Sequence, residues 1–422
     1  MSIFSFRKTV LAIFFAALIV GGVYFASRSY FTTNIQGGSW LTQAREHGEI
    51  PDKIKEGIAM LKSSAPLQYM TTNGSDSGAL IRKQIALSIL DTNTGELFER
   101  RVWVTTSDIN TSGATGLVRL TPDPAPVGKT RSSGLYDNLD IYVQWWNSFN
   151  TLYAINHHPE LIVVANKYLI ERKYLPEQMS LALTSNGPKG KYFDMVYAPY
   201  SELLHVPQIV DAGRHYVNES VAEAYEELKK ARVASRMQAG KLVTDTVSPD
   251  LIKNIIVIEH VDPHWIWLAD DGGRKLAERV LVIVGANQEW AFRYTGSTAG
   301  ANGLAQFIEP TYYGIAAAYP SANLIKDFRY GMADHVNAVK AMVLYFDLHE
   351  NQLQNQITRK DVLAQLGITD GMLAAAYNGG PFHVVQAVNG NGLAWAKSSA
   401  FPLETTGYIQ KYDLIKKLKL FN

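Results

Sequence analysis

The sequence predicts an α+β protein in three parts: an N-terminal transmembrane helix within residues 1–30, a mixed α/β middle region over 31–245, and a mainly α-helical domain over 246–422. Three observations predict this division. An uncharged apolar run stands near the N-terminus, alternating apolar residues with turn signals follow it, and helical periodicity dominates the last third. The chain of 422 residues is long enough to bury more than one core.

Charge and cysteine content exclude several classes of function. The 40 basic and 39 acidic residues nearly cancel, which gives no support to binding of nucleic acid by the whole chain, and we expect no nucleic-acid partner. The chain contains no cysteine. Disulfides, thiolate catalysis, iron–sulfur clusters, cysteine zinc sites and lipid attachment through cysteine are therefore excluded.

The apolar run extends from Thr9 to Ala26 without a charge, between Lys8 and Arg28. As a helix it is long enough to cross the core of a bilayer. A cleaved signal peptide and a buried core helix are the alternatives, although residues 24–28 make a poor cleavage site. Arg7 and Lys8 favour an N-terminus on the inside. We therefore expect a single-pass protein of the cytoplasmic (inner) membrane whose remaining chain lies on the periplasmic, outer side.

The middle region shows recognisable elements but no motif that indicates its function. Ile85–Leu90 and Phe98–Thr105 flank the turn sequence DTNTG at 91–95, which predicts a β-hairpin. Residues 107–135 are rich in Gly, Pro, Ser and Thr and predict a loop. Helical patterns follow at Asp137–Thr151, Pro159–Lys173 and Asn218–Met237.

Three short motifs follow one another in the last third: Gly300–Thr311 (GANGLAQFIEPT), Ala374–Pro381 (AAAYNGGP) and Glu404–Lys411 (ETTGYIQK). The first is a turn of small residues that leads into a helix, where close backbone approach leaves room for a ligand. The second is an Ala-rich helix that stops at Asn-Gly-Gly-Pro and leaves Tyr377 and Asn378 at its end. The third places a tyrosine directly after a glycine near a helix start.

In their order and residues these motifs resemble the soluble lytic transglycosylase (SLT) domain, a lysozyme-like fold that cleaves the glycan strands of peptidoglycan. The family's motifs read roughly G-A-x-G-L-M-Q-I-x-P-x-T, A-Y-N-A-G-P and P-E-T-x-G-Y-V-x-K. This chain departs from them at Ala305 for Met, Gly379 for Ala and Leu403 for Pro. Three motifs in order are far more specific than one, and the resemblance covers residues 246–422.

The implied chemistry needs a carboxylic acid that stays protonated near neutral pH, which burial against apolar surface provides. Glu259 is one candidate. It ends the segment SPDLIKNIIVIE over 248–259, which resembles the family's catalytic helix, with His260 where Ser is usual. This choice requires an insertion over roughly 264–296, because the first motif then arrives about thirty residues late.

Glu289 is the alternative acid. Its spacing to Gly303 is nearly that of the family, but Gly285-Ala286-Asn287 predicts a helix end placed before the glutamate. We favour Glu259, since a surface insertion costs little while a catalytic helix must be built correctly.

The resemblance also implies substrate-binding roles for Ser297, Gln306, Tyr377, Asn378 and Tyr408. Ser297 is expected to bond the glutamate or the substrate, and Tyr408 to reach toward the acid. Gln306, Tyr377 and Asn378 are expected to line the cleft. A core position with a satisfied hydroxyl is the alternative for Tyr377.

The resulting hypothesis is a peptidoglycan lytic transglycosylase. The resemblance implies that the N-acetyl group of N-acetylmuramic acid assists cleavage and that the product carries a 1,6-anhydro end. A hydrolytic muramidase and a non-catalytic scaffold stay open as alternatives. Expected partners are peptidoglycan glycan strands and, through the N-terminal helix, the membrane, with a cell-wall or secretion machinery open as a third. No cofactor and no metal are expected, since Pro263 breaks the helical spacing of His260 and His264.

Overall fold

The computed structural model describes residues 38–72, 80–105, 118–122, 139–145, 151–171, 192–261, 271–297 and 299–421. Contacts divide the chain into two compact units. The described part of the first ends at Val206, and the described part of the second begins at Pro207. The second unit thus begins well before residue 246, where the sequence suggests a domain boundary.

The first unit consists of two helices followed by strands. The helices are α1 (Ser39–His47) and α2 (Ile50–Ser63). The strands are β1 (Tyr69–Thr71), β2 (Leu80–Asp91), β3 (Leu97–Thr105), β4 (Val118–Arg119), β5 (Thr121–Pro122), β6 (Ile141–Trp145), β7 (Thr151–Ile155), β8 (Leu161–Glu171) and β9 (Tyr192–Tyr197). Among the described residues, one sheet runs β5-β3-β2-β8-β9 with β1 beside β2, and a second runs β4-β6-β7.

The predicted hairpin is confirmed. β2 and β3 pair antiparallel, with Leu90 opposite Leu97 next to the turn. Gly95 donates its backbone N–H to the Asp91 carbonyl at 2.8 Å, and its φ of 77° explains why glycine stands there. Alternation along β2 sends Ile85 to one face of the sheet and Ala86 to the other.

The helices predicted over 137–151 and 159–173 are wrong, because the described residues there form strands β6, β7 and β8. In β8, Val163 joins the apolar cluster on one face of the sheet and Ala165 the cluster on the other. A strand buried on both faces lacks the apolar–polar alternation that identifies strands in a sequence.

The second unit is helical. Its described α-helices are α3 (Pro207–Lys230), α4 (Val243–Thr246), α5 (Pro249–His260), α6 (Arg274–Asn287), α7 (Glu309–Ala318), α8 (Phe328–Ala333), α9 (His335–Gln356), α10 (Lys360–Leu366), α11 (Asp370–Gly379), α12 (Pro381–Asn391) and α13 (Leu403–Leu418). Short 3₁₀ turns cover Gln288–Trp290, Pro320–Ala322 and Gly392–Lys397. The helix predicted over 218–237 is confirmed as far as Lys230.

Helices α3 and α6 touch through a pair of glycines. A Cβ on Gly213 would lie 1.9 Å from the carbonyl oxygen of Leu281, and one on Gly285 would lie 2.1 Å from that of Ile209. The two backbones therefore approach more closely than any side chain permits. Helix α6 is buried along much of its length, so within the insertion expected over 264–296 the residues of α6 contribute to the core of the unit and are not a surface addition.

The predicted fold class needs a correction at its N-terminal part. None of the described helices combines the length and the apolar surface that a membrane crossing demands. The described chain is thus a mixed α and β fold, and residues 9–26, on which the transmembrane prediction rested, lie outside the described residues.

Candidate functional site

Helix α5 delivers Glu259 to the site. Pro249 stands in its first turn, and its apolar residues Leu251, Ile252, Ile255, Ile256, Val257 and Ile258 are all buried. A helix that is apolar on nearly every side lies within the core. It ends where Val261 becomes extended, so Glu259 stands in the last turn, half-buried. The predicted helix is confirmed.

Glu259 receives a hydrogen bond from α13. The hydroxyl of Tyr408 donates to Glu259 Oε1 at 2.5 Å. Burial raises the pKa of Glu259 to about 7, because the ionised carboxylate is poorly solvated there, while the bond from Tyr408 and the charge of Lys411 act in the opposite direction. A carboxyl group with this pKa is partly protonated and partly ionised at neutral pH.

One face of α13 carries the groups that act on Glu259. Glu404, Tyr408 and Lys411 follow at spacings of four and three, which align side chains along a helix. Lys411 Nζ donates to the carbonyl of Ile258 at 3.3 Å, and the charge of the exposed Glu404 raises the pKa of Glu259. Glu404 and Lys411 were not predicted as site residues, although their helical spacing from Tyr408 places all three on one face.

Glu289 lies elsewhere. It is exposed on the 3₁₀ turn after α6, and α6 ends at Asn287 as the sequence indicated. Burial, and to a smaller extent the charge of Glu289, raises the pKa of Tyr216 to about 12, and the Tyr216 hydroxyl bonds His335 Nδ1 at 3.0 Å. Glu259 is thus the glutamate that contacts the third motif.

The first motif is a tight turn with a strained backbone. Gly303 has φ +70°, and a Cβ there would lie 2.0 Å from the carbonyl oxygen of Met332. Gln306 has φ +51°, and its Nε2 donates to the carbonyls of Gly303 at 2.6 Å and Thr295 at 3.3 Å. The amide nitrogen of Gln306 therefore braces the turn.

Ser297 also serves this turn. Its hydroxyl accepts the N–H of Ala301 at 3.1 Å, and its own N–H donates to the Ala301 carbonyl at 3.0 Å. The side chain is exposed. In this geometry Ser297 closes the loop before Gly303, and none of its hydrogen bonds within the described residues reaches Glu259.

The second motif meets the first through Tyr377. Its hydroxyl donates to the carbonyl of Ala305 at 2.5 Å, and its ring centroid lies 5.2 Å from that of Phe307. The ring of Tyr345 on α9 lies 5.1 Å away. Burial and then the charge of Glu259 raise the pKa values of both tyrosines, so both lie near Glu259. Nothing in the sequence around Tyr345 indicated its place here.

Asn378 joins the second motif to the third. Its Oδ1 accepts from the hydroxyl of Thr405 at 2.9 Å, and its Nδ2 donates to Glu404 Oε1 at 3.5 Å. A Cβ on Gly379 would lie 2.5 Å from the Thr405 hydroxyl. Thr405 therefore leaves too little room for a Cβ at position 379, where this chain has glycine and the resembling family has alanine.

The arrangement offers one chemistry above others. A half-buried carboxyl group with a pKa near 7, reached by a tyrosine hydroxyl, can donate a proton and take one back at neutral pH. No cluster of His, Asp and Glu among the described residues is arranged to hold a metal ion; His264, weighed above as a ligand, lies outside them.

Comparison with known proteins was made in three ways. A scan against protein-family models, a search of curated proteins and a search of solved structures each returned no match.

Proposed function

We propose that this protein is a peptidoglycan lytic transglycosylase of the SLT type, which cleaves the β-1,4 bond between N-acetylmuramic acid and N-acetylglucosamine. One observation carries the proposal: Glu259 is half-buried, has a pKa near 7 and accepts a hydrogen bond from Tyr408. The contacts of Tyr377 and Asn378 with the first and third motifs support it.

In the proposed reaction Glu259 first acts as an acid. It gives its proton to the glycosidic oxygen while the bond from that oxygen to C1 of N-acetylmuramic acid breaks, and the N-acetyl oxygen of the same sugar bonds to C1. Glu259, now a carboxylate, takes the proton of the 6-hydroxyl, O6 bonds to C1, and the N-acetyl oxygen leaves. No water is consumed, and Glu259 ends protonated.

The surroundings of Glu259 suit both halves of this cycle. Desolvation favours the protonated form that the first step needs. The Tyr408 hydroxyl and the Lys411 ammonium group favour the carboxylate that the second step needs. A pKa near the working pH is a compromise between the two.

The remaining residues are proposed to bind the glycan or to shape its site. Tyr377 and Asn378 are half-buried at the end of α11, where the ring and the amide can meet a sugar. Gln306 and Ser297 shape the turn of the first motif through the bonds described above. Glycan strands are the proposed partner, and the reaction takes place where peptidoglycan lies, outside the cytoplasmic membrane.

A hydrolytic muramidase is a second candidate, and Glu404 is the observation that favours it. A glycosidase that uses water generally needs a second carboxylate as base or nucleophile. Glu404 is exposed, bonds Asn378 and acts electrostatically on Glu259, so it is the described carboxylate best placed for that role.

Digestion of purified sacculi by the full chain, with mass spectrometry of the products, tests the proposal. Anhydro-muropeptides support the transglycosylase, reducing ends support the muramidase, and binding without release supports a scaffold and contradicts both. Glu259→Gln should abolish release, while Glu404→Gln should retain it for a transglycosylase and lose it for a muramidase. Glu289→Gln is the matched control and should retain full activity.

A further inference from the structure

His260, the residue after the proposed acid, makes two contacts that neither the acid–base chemistry nor the motifs explain. The side chain is only 5% exposed. Its Nε2 lies 2.9 Å from the carbonyl oxygen of Leu304. Because a carbonyl can only accept, Nε2 carries the hydrogen and donates it.

The second contact is a ring stack. The imidazole lies on the ring of Phe292 with centroids 3.8 Å apart and planes within 14°. Phe292 is fully buried and has φ +54°, a backbone conformation that few non-glycine residues adopt. Burial holds the pKa of His260 down at about 3, so the ring is uncharged at neutral pH.

Three consecutive carbonyls of the first motif accept hydrogen bonds from side chains, beginning with that of Gly303 from Gln306 and that of Leu304 from His260. The next, that of Ala305, accepts from Tyr377. The turn between Gly303 and Phe307 is thus attached on one side to the end of α5, next to Glu259, and on the other to the second motif. A bond at Leu304 sets the position of this turn relative to the acid.

We propose that His260 is a positioning residue, which aligns Glu259 with the first motif through its hydrogen bond to the Leu304 carbonyl. The role rests on the proposed function, because the group that His260 aligns is the proposed acid. Misplacement of a catalytic group by about 1 Å can lower the rate about 100-fold. Loss of the bond between His260 and Leu304 should therefore have a measurable effect on the rate.

Two substitutions separate this role from simple packing. His260→Phe keeps a ring to stack on Phe292 but has no donor for the Leu304 carbonyl. His260→Gln loses the ring but places an amide N–H at a similar reach. We expect kcat to fall about 100-fold in the Phe variant with KM nearly unchanged, and about fivefold or less in the Gln variant. The proposal would be overturned if kcat fell more in the Gln variant than in the Phe variant, if it fell equally in both, or if it fell in neither.

Should the Phe variant not fold, His260→Asn takes its place. Asparagine has the same amide as glutamine on a shorter side chain that does not reach Leu304, so it should lose activity as the Phe variant does. Asn activity equal to that of Gln would contradict the inference.

A titration that does not depend on turnover completes the test. The glutamate carboxyl groups are labelled with ¹³C and followed by NMR, and the signal of Glu259 is identified by its absence in Glu259→Gln. In His260→Phe or His260→Asn the titration midpoint of Glu259 should move toward the ordinary value of a glutamate, since a loosened turn admits water. His335→Gln is the control: His335 is as buried and donates to the Ala291 carbonyl at 2.8 Å, but it does not adjoin Glu259, and the midpoint should stay.

The two proposals fail separately. If the wild-type chain releases no muropeptides and yet the Glu259 midpoint moves in the Phe or Asn variant and not in His335→Gln, the proposed function is wrong and the positioning role stands. If sacculi are digested and the midpoint stays in every variant, the positioning role is wrong.

Discussion

The hydroxyl of Tyr408 lies 2.5 Å from Glu259 Oε1, although 149 positions separate the two residues in the chain. Burial raises the pKa of Tyr408 well above its ordinary value, so the phenol keeps its proton and donates it to the carboxylate. This one bond links the end of α5 to α13 and lowers the pH at which Glu259 loses its proton.

The pH dependence of activity should report this bond. Since the first step of the proposed reaction needs protonated Glu259, kcat/KM should fall as the pH rises through about 7. Tyr408→Phe removes a donor that favours the carboxylate, so the pKa of Glu259 rises and the falling limb moves to higher pH, with a loss of about 10-fold or more in kcat. Rates of muropeptide release between pH 5 and 9 would measure both effects.

Tyr412→Phe is the control for Tyr408→Phe. Tyr412 lies one turn further along α13 and bonds Asp370 Oδ2 at 3.1 Å. Loss of the Tyr412 hydroxyl should leave the pH at which kcat/KM falls unchanged. A limb that shifts equally in both variants would contradict a specific role of Tyr408.

Removing the charge of Glu259 should stabilise the protein at alkaline pH. The folded pKa of about 7 lies above the ordinary 4.5, so between these values the folded state binds more protons than the unfolded state, and stability falls as the pH rises. Above pH 7 the full loss is about 3 kcal/mol. Glu259→Gln cannot ionise and should unfold at higher urea at pH 8, with little difference at pH 4.

Exposed Glu289 supplies the control for that measurement, and Glu289→Gln should leave the urea midpoint nearly unchanged. Equal midpoints for wild type and Glu259→Gln at pH 8 would show that the carboxyl group is solvated.

The close approach of Gly379 and Thr405 predicts a coupled pair. Gly379→Ala should destabilise by about 1–3 kcal/mol, because its Cβ would lie 2.5 Å from the Thr405 hydroxyl. Thr405→Ala alone loses the bond to Asn378. In the double variant the Thr405 hydroxyl is absent, so the methyl group added at position 379 has more room. The double variant should therefore lose about 1 kcal/mol less unfolding free energy than the two single variants lose together. A thermal or urea double-mutant cycle gives this coupling, and simple additivity would contradict it.

The glycine contact between α3 and α6 predicts a strong effect on stability. Gly285→Ala places a Cβ 2.1 Å from the Ile209 carbonyl, a backbone atom that cannot move alone, and should cost about 3 kcal/mol or more. Gly314 in α7 has nothing within 4 Å of its built Cβ, so Gly314→Ala should stabilise by about 0.5–1 kcal/mol. Unfolding free energies in urea compare the two, and equal effects would count against the helix contact.

Local patterns predicted elements well where one face of an element alone is buried or where a turn has distinctive residues. The β2–β3 hairpin and the ends of α5 and α6 are such cases. Strands β6 and β8 were mistaken for helices, and for β8 the cause is burial on both faces, which removes the alternation. The partnership of α3 with α6 depends on two glycines 72 positions apart, Gly213 and Gly285, and no local pattern reveals it.

The site divides in the same way. The resemblance of three motifs and one helix to the SLT domain nominated Glu259, Tyr377, Asn378 and Tyr408, and the helix end and the glycine turn that carry these residues follow from neighbouring residues in the chain. The contacts of Tyr345 and His260 were not accessible, since each depends on a residue far away in the chain.

What the sequence determined by itself was the set of local elements and motifs around two alternative glutamates. Only the tertiary structure separated those glutamates, because burial and the reach of Tyr408 are properties of packed surfaces. Glu259 ends a helix surrounded by apolar core, where loss of water raises its pKa, while Glu289 stands exposed on a turn. The pKa of a carboxyl group depends on the burial, charges and hydrogen bonds around it, and residues from distant parts of the chain provide these.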